Sequence, residues 1–159
     1  MYIMIETINE QNRALVIEFF NKHWGSSEMV VSSGRYNCAE LPGLVNMEDE
    51  KITGLLTYII KDKMIEIISL DSVIENRGIG TQLMNFLERL AYKNCMFNIR
   101  VITTNDNMIA LKFYQKLGYR IKEIIPDAVN EARLIKPQIP LVAENGIPIL
   151  DELVLEKFI

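Results

Sequence analysis

The order of strand-like and helix-like segments in the centre of the chain constrains the fold most strongly. Residues 51–60 and 64–70 are two apolar runs separated by three charged residues, a pattern that predicts an antiparallel hairpin within a sheet. Residues 81–92 carry leucines at helical spacing, and residues 98–103 follow as a further strand. Two strands joined through a helix run parallel in one sheet. The centre of the chain therefore predicts helices packed on a mixed sheet.

The flanking segments extend this pattern in both directions. The sequence predicts a strand over 1–8, followed by a helix over 10–23 whose start is capped by Asn9. Further helices are predicted over 108–117 and 126–134, and further strands over 119–125 and 149–158. No repeat or linker divides the 159 residues, and this length suits one domain with one core. We therefore predict an α+β fold with a mostly antiparallel sheet and a single domain over residues 1–159.

Composition and charge exclude several classes of protein. Apolar residues make up 49% of the chain, but no run approaches the roughly 18 residues that a membrane helix needs. The net charge is −4 and the basic residues are dispersed, which argues against nucleic acid as a partner. Cys38 and Cys95 lack metal-type spacing, there is one histidine, and no secretory signal opens the chain. We expect a cytoplasmic protein with reduced thiols and no bound metal.

A glycine-bearing loop joins the strand at 64–70 to the next helix. Gly78 and Gly80 let the backbone approach a ligand closely, and the N–H groups of residues 78–81 would point out of the helix start. Together with the helix dipole they suit a phosphate group, and Arg77 adds a positive charge at the rim. The alternative is a tight turn that simply needs glycine. A Walker loop is excluded because no Gly-Lys-Ser/Thr follows, and a dinucleotide fingerprint lacks its third glycine.

A second pattern lies at the next strand–helix junction. It comprises Asn107, Ala110, Tyr114, Gly118 and Tyr119. The two patterns together resemble the GNAT superfamily of N-acetyltransferases, whose motifs are Gln/Arg-x-x-Gly-x-Gly/Ala and Asn-x-x-Ala-x-x-x-Tyr followed by Gly-Phe/Tyr. The resemblance covers essentially the whole chain and points to a bacterial subgroup of uncertain substrate.

The first motif departs from the family at one position. Glu75 stands where the family prefers Gln or Arg. The change removes one side-chain contact to phosphate but leaves the backbone cradle.

The resemblance implies a fold, a co-substrate and an activity. The GNAT fold has a mixed, mostly antiparallel sheet of about six to seven strands flanked by helices, with splayed central strands that form the acetyl-CoA cleft. The implied reaction is direct attack of an amine on acetyl-CoA, with a small-molecule or protein amine as acceptor. A homodimer is a common arrangement in this family. The alternative is a non-catalytic module of the same fold that binds or senses acyl-CoA.

The resemblance also assigns residues to roles. The positions implied for acetyl-CoA binding are Leu70, Arg77, Gly78, Ile79, Gly80, Thr81, Asn107 and Tyr114. Tyr114 would act as the general acid, assisting departure of the thiolate, and a backbone N–H near Leu70 would stabilise the developing oxyanion. The alternative for Tyr114 is a core aromatic residue on a helix.

Three further groups of residues have two interpretations each. Glu66 or Asp71 is a candidate for the general base, or else a solvated or hydrogen-bonded surface carboxylate. His23 and Trp24 border the acceptor pocket, or else are a helix-end charge and a packing anchor. Arg133 and Lys136 meet an acidic group on the acceptor, or else are exposed helix charges.

Overall fold

The computed structural model describes residues 4–74 and 77–159. The elements in chain order are β1 (Ile5–Thr7), α1 (Arg13–Trp24), β2 (Glu28–Val31), β3 (Gly34–Asn37), β4 (Gly43–Glu48), β5 (Lys51–Lys61), β6 (Met64–Ser72), α2 (Ile79–Lys93), β7 (Asn98–Thr104), α3 (Met108–Lys116), β8 (Arg120–Ile125), α4 (Ala128–Ile135) and β9 (Glu152–Phe158). They group into two compact units. The first contains residues 1–28, 37–99 and 159, and the second contains residues 29–36 and 100–158.

The first unit is built on four antiparallel strands in the order β1-β4-β5-β6. Strands β5 and β6 form the predicted hairpin, and their two-residue turn uses Asp62 and Lys63, both at positive φ. The core of this unit consists of fully buried aliphatic side chains, among them Leu44, Leu55, Leu56, Leu83 and Leu87. Burial of these apolar side chains is the main favourable term that holds the helices on the sheet.

A β-bulge in β6 decides which side chains share a face. Thr57 lies opposite Ser69, but the next pair is Tyr58 with Ile67, so Ile68 is one extra residue on β6. Because alternation restarts at the bulge, Ser69 lies on the same face as two acidic residues of β6. These are Glu66, opposite Ile59, and Asp71, opposite Leu55.

The opposite face of the sheet holds the start of α2. Gly54 lies on this face, and a Cβ there would overlap Cγ2 of Ile79 and lie 3.1 Å from Cδ1 of Leu83. Glycine at this position therefore allows the first turn of α2 to lie directly on β5. Ile79 and Leu83 are both buried, so apolar packing fixes the position of the helix start.

The second unit contains a strand set in the order β7-β9-β8, with β8 and β9 antiparallel. The hairpin β2–β3 is joined to β9 by the buried carboxylate of Glu152, which accepts hydrogen bonds from the Ser32 N–H at 3.1 and 3.3 Å. Helix α3 precedes β8, and α4 is followed by an extended segment over residues 136–151.

The predicted α+β class, with helices flanking a mostly antiparallel set of strands, is confirmed. The predicted cap of α1 is wrong. The helix begins at Arg13 with Asn12 at the cap position, while the Asn9 side chain accepts hydrogen bonds from the N–H groups of Gln11 and Asn12. Asn9 therefore closes the turn before the helix, a local bond that short polar side chains make readily. The single-domain assignment stays a prediction.

Candidate functional site

The start of α2 forms an anion-binding geometry within the first unit. Gly78 is the cap residue at φ 75°, a left-handed conformation that residues with a Cβ adopt rarely. The N–H groups of Ile79, Gly80 and Thr81 have no carbonyl partner inside the helix, because they belong to its first turn. No acidic residue lies in that turn. This arrangement favours a negative group at the helix start. Glu75 lies outside the described residues.

Arg77 sits beside this helix start and is engaged by a carboxylate. Its Nη2 lies 2.7 Å from Oε1 of Glu48, and the two side chains are 28% and 22% exposed. Glu48 ends β4 and is partly buried, whereas Asp49 and Glu50 are exposed in the turn that follows. A carboxylate that faces an arginine is better explained as an ion pair than as a turn residue.

Asp71, near the end of β6, combines burial with an unsatisfied oxygen. Its Oδ1 accepts a hydrogen bond from Nε1 of Trp24 at 3.1 Å, and its Oδ2 is buried without a hydrogen-bond partner. Burial raises the pKa of the Asp71 carboxyl above its ordinary value of 3.8, while the Trp24 hydrogen bond and the charge of His23 act to lower it. The net effect is a carboxylate that holds a proton more tightly than an exposed aspartate.

The end of α1 places Trp24 and His23 in different surroundings. The Trp24 ring packs edge-to-face on Phe20 at 5.1 Å between centroids, and Gly25 ends the helix at φ 74°. His23 is exposed and lies 4.5 Å from the Phe19 ring centroid. Trp24 is therefore the packing anchor that one interpretation expected, and it also contacts a candidate base. The sequence contained no signal for this pairing, because the two residues are 47 positions apart.

Glu66 and Leu70, which the sequence also singled out, lie on β6 with Asp71. Glu66 is 4% exposed, so the interpretation of this residue as a solvated surface carboxylate is wrong. All residues from Ile65 to Ser69 are buried, so both faces of β6 are covered at this point. Leu70 lies opposite Leu56 and is half-buried.

In the second unit, the Asn107–Tyr114 pattern forms a capped helix. The Asn107 side chain accepts a hydrogen bond from the Ala110 N–H at 3.1 Å and thereby caps α3. Tyr114 is 6% exposed and contacts the rings of Phe113 and Tyr119 at centroid distances of 5.3 and 5.9 Å. Part of this sequence pattern thus has a structural role in starting and anchoring the helix.

Arg133 in α4 is held by backbone oxygens. Nε donates to the Ile139 carbonyl at 3.2 Å, and Nη2 donates to the carbonyls of Pro140 at 2.6 Å and Ile149 at 2.7 Å. Nη1 donates to Oδ1 of Asn130 at 2.7 Å. The guanidinium therefore holds residues 136–151 against α4. This arrangement matches neither interpretation from the sequence, because Arg133 is not a free helix charge and its donors are occupied.

Neither a metal-binding cluster nor a membrane-spanning helix is found within residues 4–74 and 77–159. In these ranges no group of three or more His, Cys, Asp or Glu side chains is arranged to hold a metal ion. No helix in the same ranges is long and apolar enough to span a lipid bilayer.

The fold and the anion-binding helix start are those of an acyltransferase of the acetyl-CoA-using class, and comparison with known families agrees. The model of the Acetyltransferase (GNAT) family matches residues 9–119, and the chain belongs to this family. It is 55% identical over 144 residues to the uncharacterized protein YxbD of Bacillus subtilis (strain 168), covering 90% of this chain and 91% of that protein. It is 49% identical over 152 residues to the uncharacterized protein YdhI of the same strain, covering 95% of each.

Solved structures share the fold at low sequence identity. An IAA acetyltransferase from Bacillus cereus ATCC 14579 matches with a TM-score of 0.72 and 20% identity over 99% of this chain and 100% of that one. A GNAT family acetyltransferase from Elizabethkingia anophelis with acetyl-CoA bound matches with a TM-score of 0.70 and 20% identity, covering 99% and 98%. A Bacillus subtilis acetyltransferase in complex with CoA matches with a TM-score of 0.68 and 18% identity, covering 99% of each chain.

Proposed function

We propose that this protein transfers the acetyl group of acetyl-CoA to an amine. The observation that carries the proposal is the start of α2, where a left-handed Gly78 precedes first-turn N–H groups that have no carbonyl partner inside the helix, and where the first turn holds no acidic residue. A pyrophosphate fits such a helix start because its charge meets the positive end of the dipole and its oxygens accept the N–H groups. Gly78, Ile79, Gly80 and Thr81 are its proposed ligands, with Arg77 at the rim.

We assign the base to Asp71 rather than to Glu66. When bound, acetyl-CoA supplies an acetyl group on a thioester, and the acceptor must attack it as a neutral amine. Asp71 suits removal of the amine proton because its Oδ2 is unpartnered and its pKa is raised toward the working pH. Glu66 is buried and already has a polar or electrostatic partner. The carboxylate with a free oxygen is therefore the better proton acceptor.

Three further roles follow from the family motif. The Leu70 backbone is proposed to pair with the pantetheine arm, and Asn107 is proposed to hydrogen-bond to the same arm. The Tyr114 hydroxyl is proposed to stabilise the departing thiolate by a hydrogen bond. Reference pKa values of about 10 for tyrosine and 8.5 for a thiol make full proton transfer from Tyr114 uphill by roughly 2 kcal/mol, so a hydrogen bond is the favoured form of assistance.

Thermal unfolding with and without acetyl-CoA tests the binding part of the proposal. At 100 times its dissociation constant a ligand stabilises a protein by about 2.7 kcal/mol. For a domain of this size we expect a rise in Tm of roughly 5–11 °C. Gly80→Asp places a carboxylate in the first turn of α2 and should abolish the rise, whereas Gln115→Asp on the exposed surface of α3 should keep it. No rise at millimolar acetyl-CoA would contradict the proposal.

Release of free CoA thiol in the presence of a panel of amines tests the transfer. Turnover with at least one amine supports an enzyme, and Tyr114→Phe should then turn over more slowly while it keeps the acetyl-CoA-induced rise in Tm. Binding of acetyl-CoA without turnover across small amines, polyamines and peptide amino termini would instead support the non-catalytic acyl-CoA-binding module.

A further inference from the structure

Trp24 and Asp71 are joined by a hydrogen bond that uses the only donor of the indole but only one of the two carboxylate oxygens. The indole N–H of Trp24 has a single hydrogen to donate, and Asp71 Oδ1 receives it at 3.1 Å. Asp71 Oδ2 is buried and has no hydrogen-bond partner. A buried carboxylate oxygen is costly to leave unsatisfied, so its persistence points to a group that binds there.

We propose that Trp24 is a positioning residue for Asp71, fixing Oδ1 so that Oδ2 alone receives the proton of the acceptor amine. This inference rests on the proposed function, in which Asp71 is the base. As the amine nitrogen bonds to the acetyl carbon and the carbon–sulfur bond breaks, a proton leaves the nitrogen for Oδ2.

Trp24 can act on Asp71 only as a hydrogen-bond donor. An indole donates and cannot accept, so it can neither take the amine proton nor relay one. Its hydrogen bond to the charged carboxylate lowers the pKa of Asp71 and opposes the rise caused by burial. Removing the donor should therefore leave Asp71 protonated up to a higher pH.

The indole is held in place independently of Asp71. It packs edge-to-face on Phe20, whose side chain is fully buried, and the helix ends at Gly25 directly after it. A ring fixed by packing limits the rotation of the carboxylate it contacts, which is how a supporting side chain orients a reactive one.

Two elements of the first unit, β6 and α1, bring charged side chains to the surroundings of Asp71. On β6, Glu66 lies on the same face as Asp71 and is buried. On β5, Asp71 faces Leu55, which lies between Gly54 and Leu56. The first turn of α2 packs on the opposite face of the sheet, at Gly54, and has no acidic residue. From α1, His23 acts on Asp71 through its charge and lowers its pKa. The effect of the His23 charge must therefore be separated from that of the Trp24 hydrogen bond.

Carbon-13 NMR of protein labelled at the aspartate side-chain carboxyls tests the inference without any acceptor. Asp71→Asn identifies the Asp71 signal by its loss. In the wild type we expect the Asp71 signal to titrate with a midpoint above the ordinary value of 3.8. In Trp24→Phe, which keeps an aromatic ring but removes the N–H, we expect the midpoint to move to higher pH. An unchanged or lower midpoint would overturn the positioning role.

A second measurement does not depend on the folding of Trp24→Phe. Trp24 is the only tryptophan of the chain, so the protein gives one indole N–H signal in a proton–nitrogen spectrum. That signal should shift with the same midpoint as the Asp71 carboxyl and lose this transition in Asp71→Asn. His23→Gln removes the neighbouring charge and should leave the transition that the indole and the Asp71 carboxyl share. An indole signal that ignores the Asp71 titration overturns the inference.

Turnover separates the inference from the proposed function. With n-propylamine or another amine that the wild type acetylates, the acid limb of kcat/KM should move to higher pH in Trp24→Phe. If Asp71→Asn turned over as fast as the wild type, Asp71 would not be the base, whatever the spectra show. If Asp71→Asn were inactive but the acid limb ignored Trp24→Phe, the proposed function would stand and the positioning role would fall.

Discussion

Asp71 in the first unit and Arg133 in the second are both charged, partly buried side chains, but they use their hydrogen-bonding capacity differently. Arg133 donates from all three of its nitrogens to oxygens within 3.2 Å, three of them backbone carbonyls. Asp71 has one oxygen bonded to Trp24 and one buried oxygen with no partner. A charged group whose bonds are completed by its own chain serves the fold, whereas one left incomplete is available to a ligand.

The sequence alone allows two interpretations of each of these residues, because it does not show what their side chains contact. A charged residue near a strand end or on a helix has the same appearance in the sequence whether its partners are backbone, side chain, solvent or substrate. The distinction requires knowing which carbonyls of residues 136–151 return to α4 and which helix end reaches β6, and both are long-range features.

We expect Asp71→Asn to lower turnover strongly. Loss of a general base typically lowers turnover by about 10²–10⁴-fold, and asparagine keeps an acceptor for Trp24. Initial rates of CoA release measure the effect. Asp62→Asn, in the exposed β5–β6 turn, is the matched control and should keep its rate. A rate for Asp71→Asn within a few-fold of the wild type would show that Asp71 is not the general base.

The stability of Asp71→Asn should move in the opposite direction to its activity. The folded-state pKa of Asp71 is raised, so the folded protein binds the proton more tightly than the unfolded chain. Stability from this group is then present below the unfolded pKa of about 3.8 and is lost as pH rises through the folded pKa. Above that window Asp71→Asn should unfold at a higher temperature than the wild type, and below it the difference should shrink. Equal stability at neutral pH would indicate that the charge is well compensated.

In Arg133→Met, by contrast, we expect loss of stability rather than loss of activity to be the primary effect. Methionine preserves much of the apolar stem but leaves the carbonyls of Ile139, Pro140 and Ile149 without their donor. Hydrogen bonds to a charged group are worth about 1.5–3 kcal/mol each and are not additive, so we expect a loss of roughly 2–4 kcal/mol. That corresponds to a fall in Tm of roughly 5–15 °C. Lys112→Met, at an exposed position of α3, should change Tm little.

Activity measurements on the same variant test whether Arg133 serves only the fold. Measured well below its lowered Tm, Arg133→Met should retain acetyl-CoA binding, because the guanidinium is occupied by its own chain. A variant as stable as the wild type but inactive toward an amine would reverse the assignment and make Arg133 an acceptor-binding residue.

Local patterns predicted much of the fold and the start of the site. The β5–β6 hairpin, the helices after Gly78 and Asn107, and the end of α1 at Gly25 all follow from periodicity, turn residues and glycine. What the sequence could not predict depends on register and on contacts distant in sequence. The bulge at Ile68 places Glu66 on the same face as Asp71, and α1 brings Trp24 to a residue 47 positions away. Apolar patterning fixes which face is buried but not where one extra residue shifts it.

Smaller changes are expected at Asn107, whose side chain has both a structural role and a proposed role in ligand binding. Its Oδ1 caps α3 through the Ala110 N–H, while its exposed amide nitrogen is proposed to contact pantetheine. Asn107→Ala should cost about 1 kcal/mol of stability through loss of the cap and also weaken acetyl-CoA binding. Asn107→Asp keeps the capping oxygen and removes the amide donor, so it should retain stability and lose affinity alone. Urea unfolding and acetyl-CoA titration measure the two quantities separately. If Asn107→Asp matched the wild type in both, Asn107 would belong with Arg133 as a residue that serves the fold, and the pantetheine contact would have to come from elsewhere.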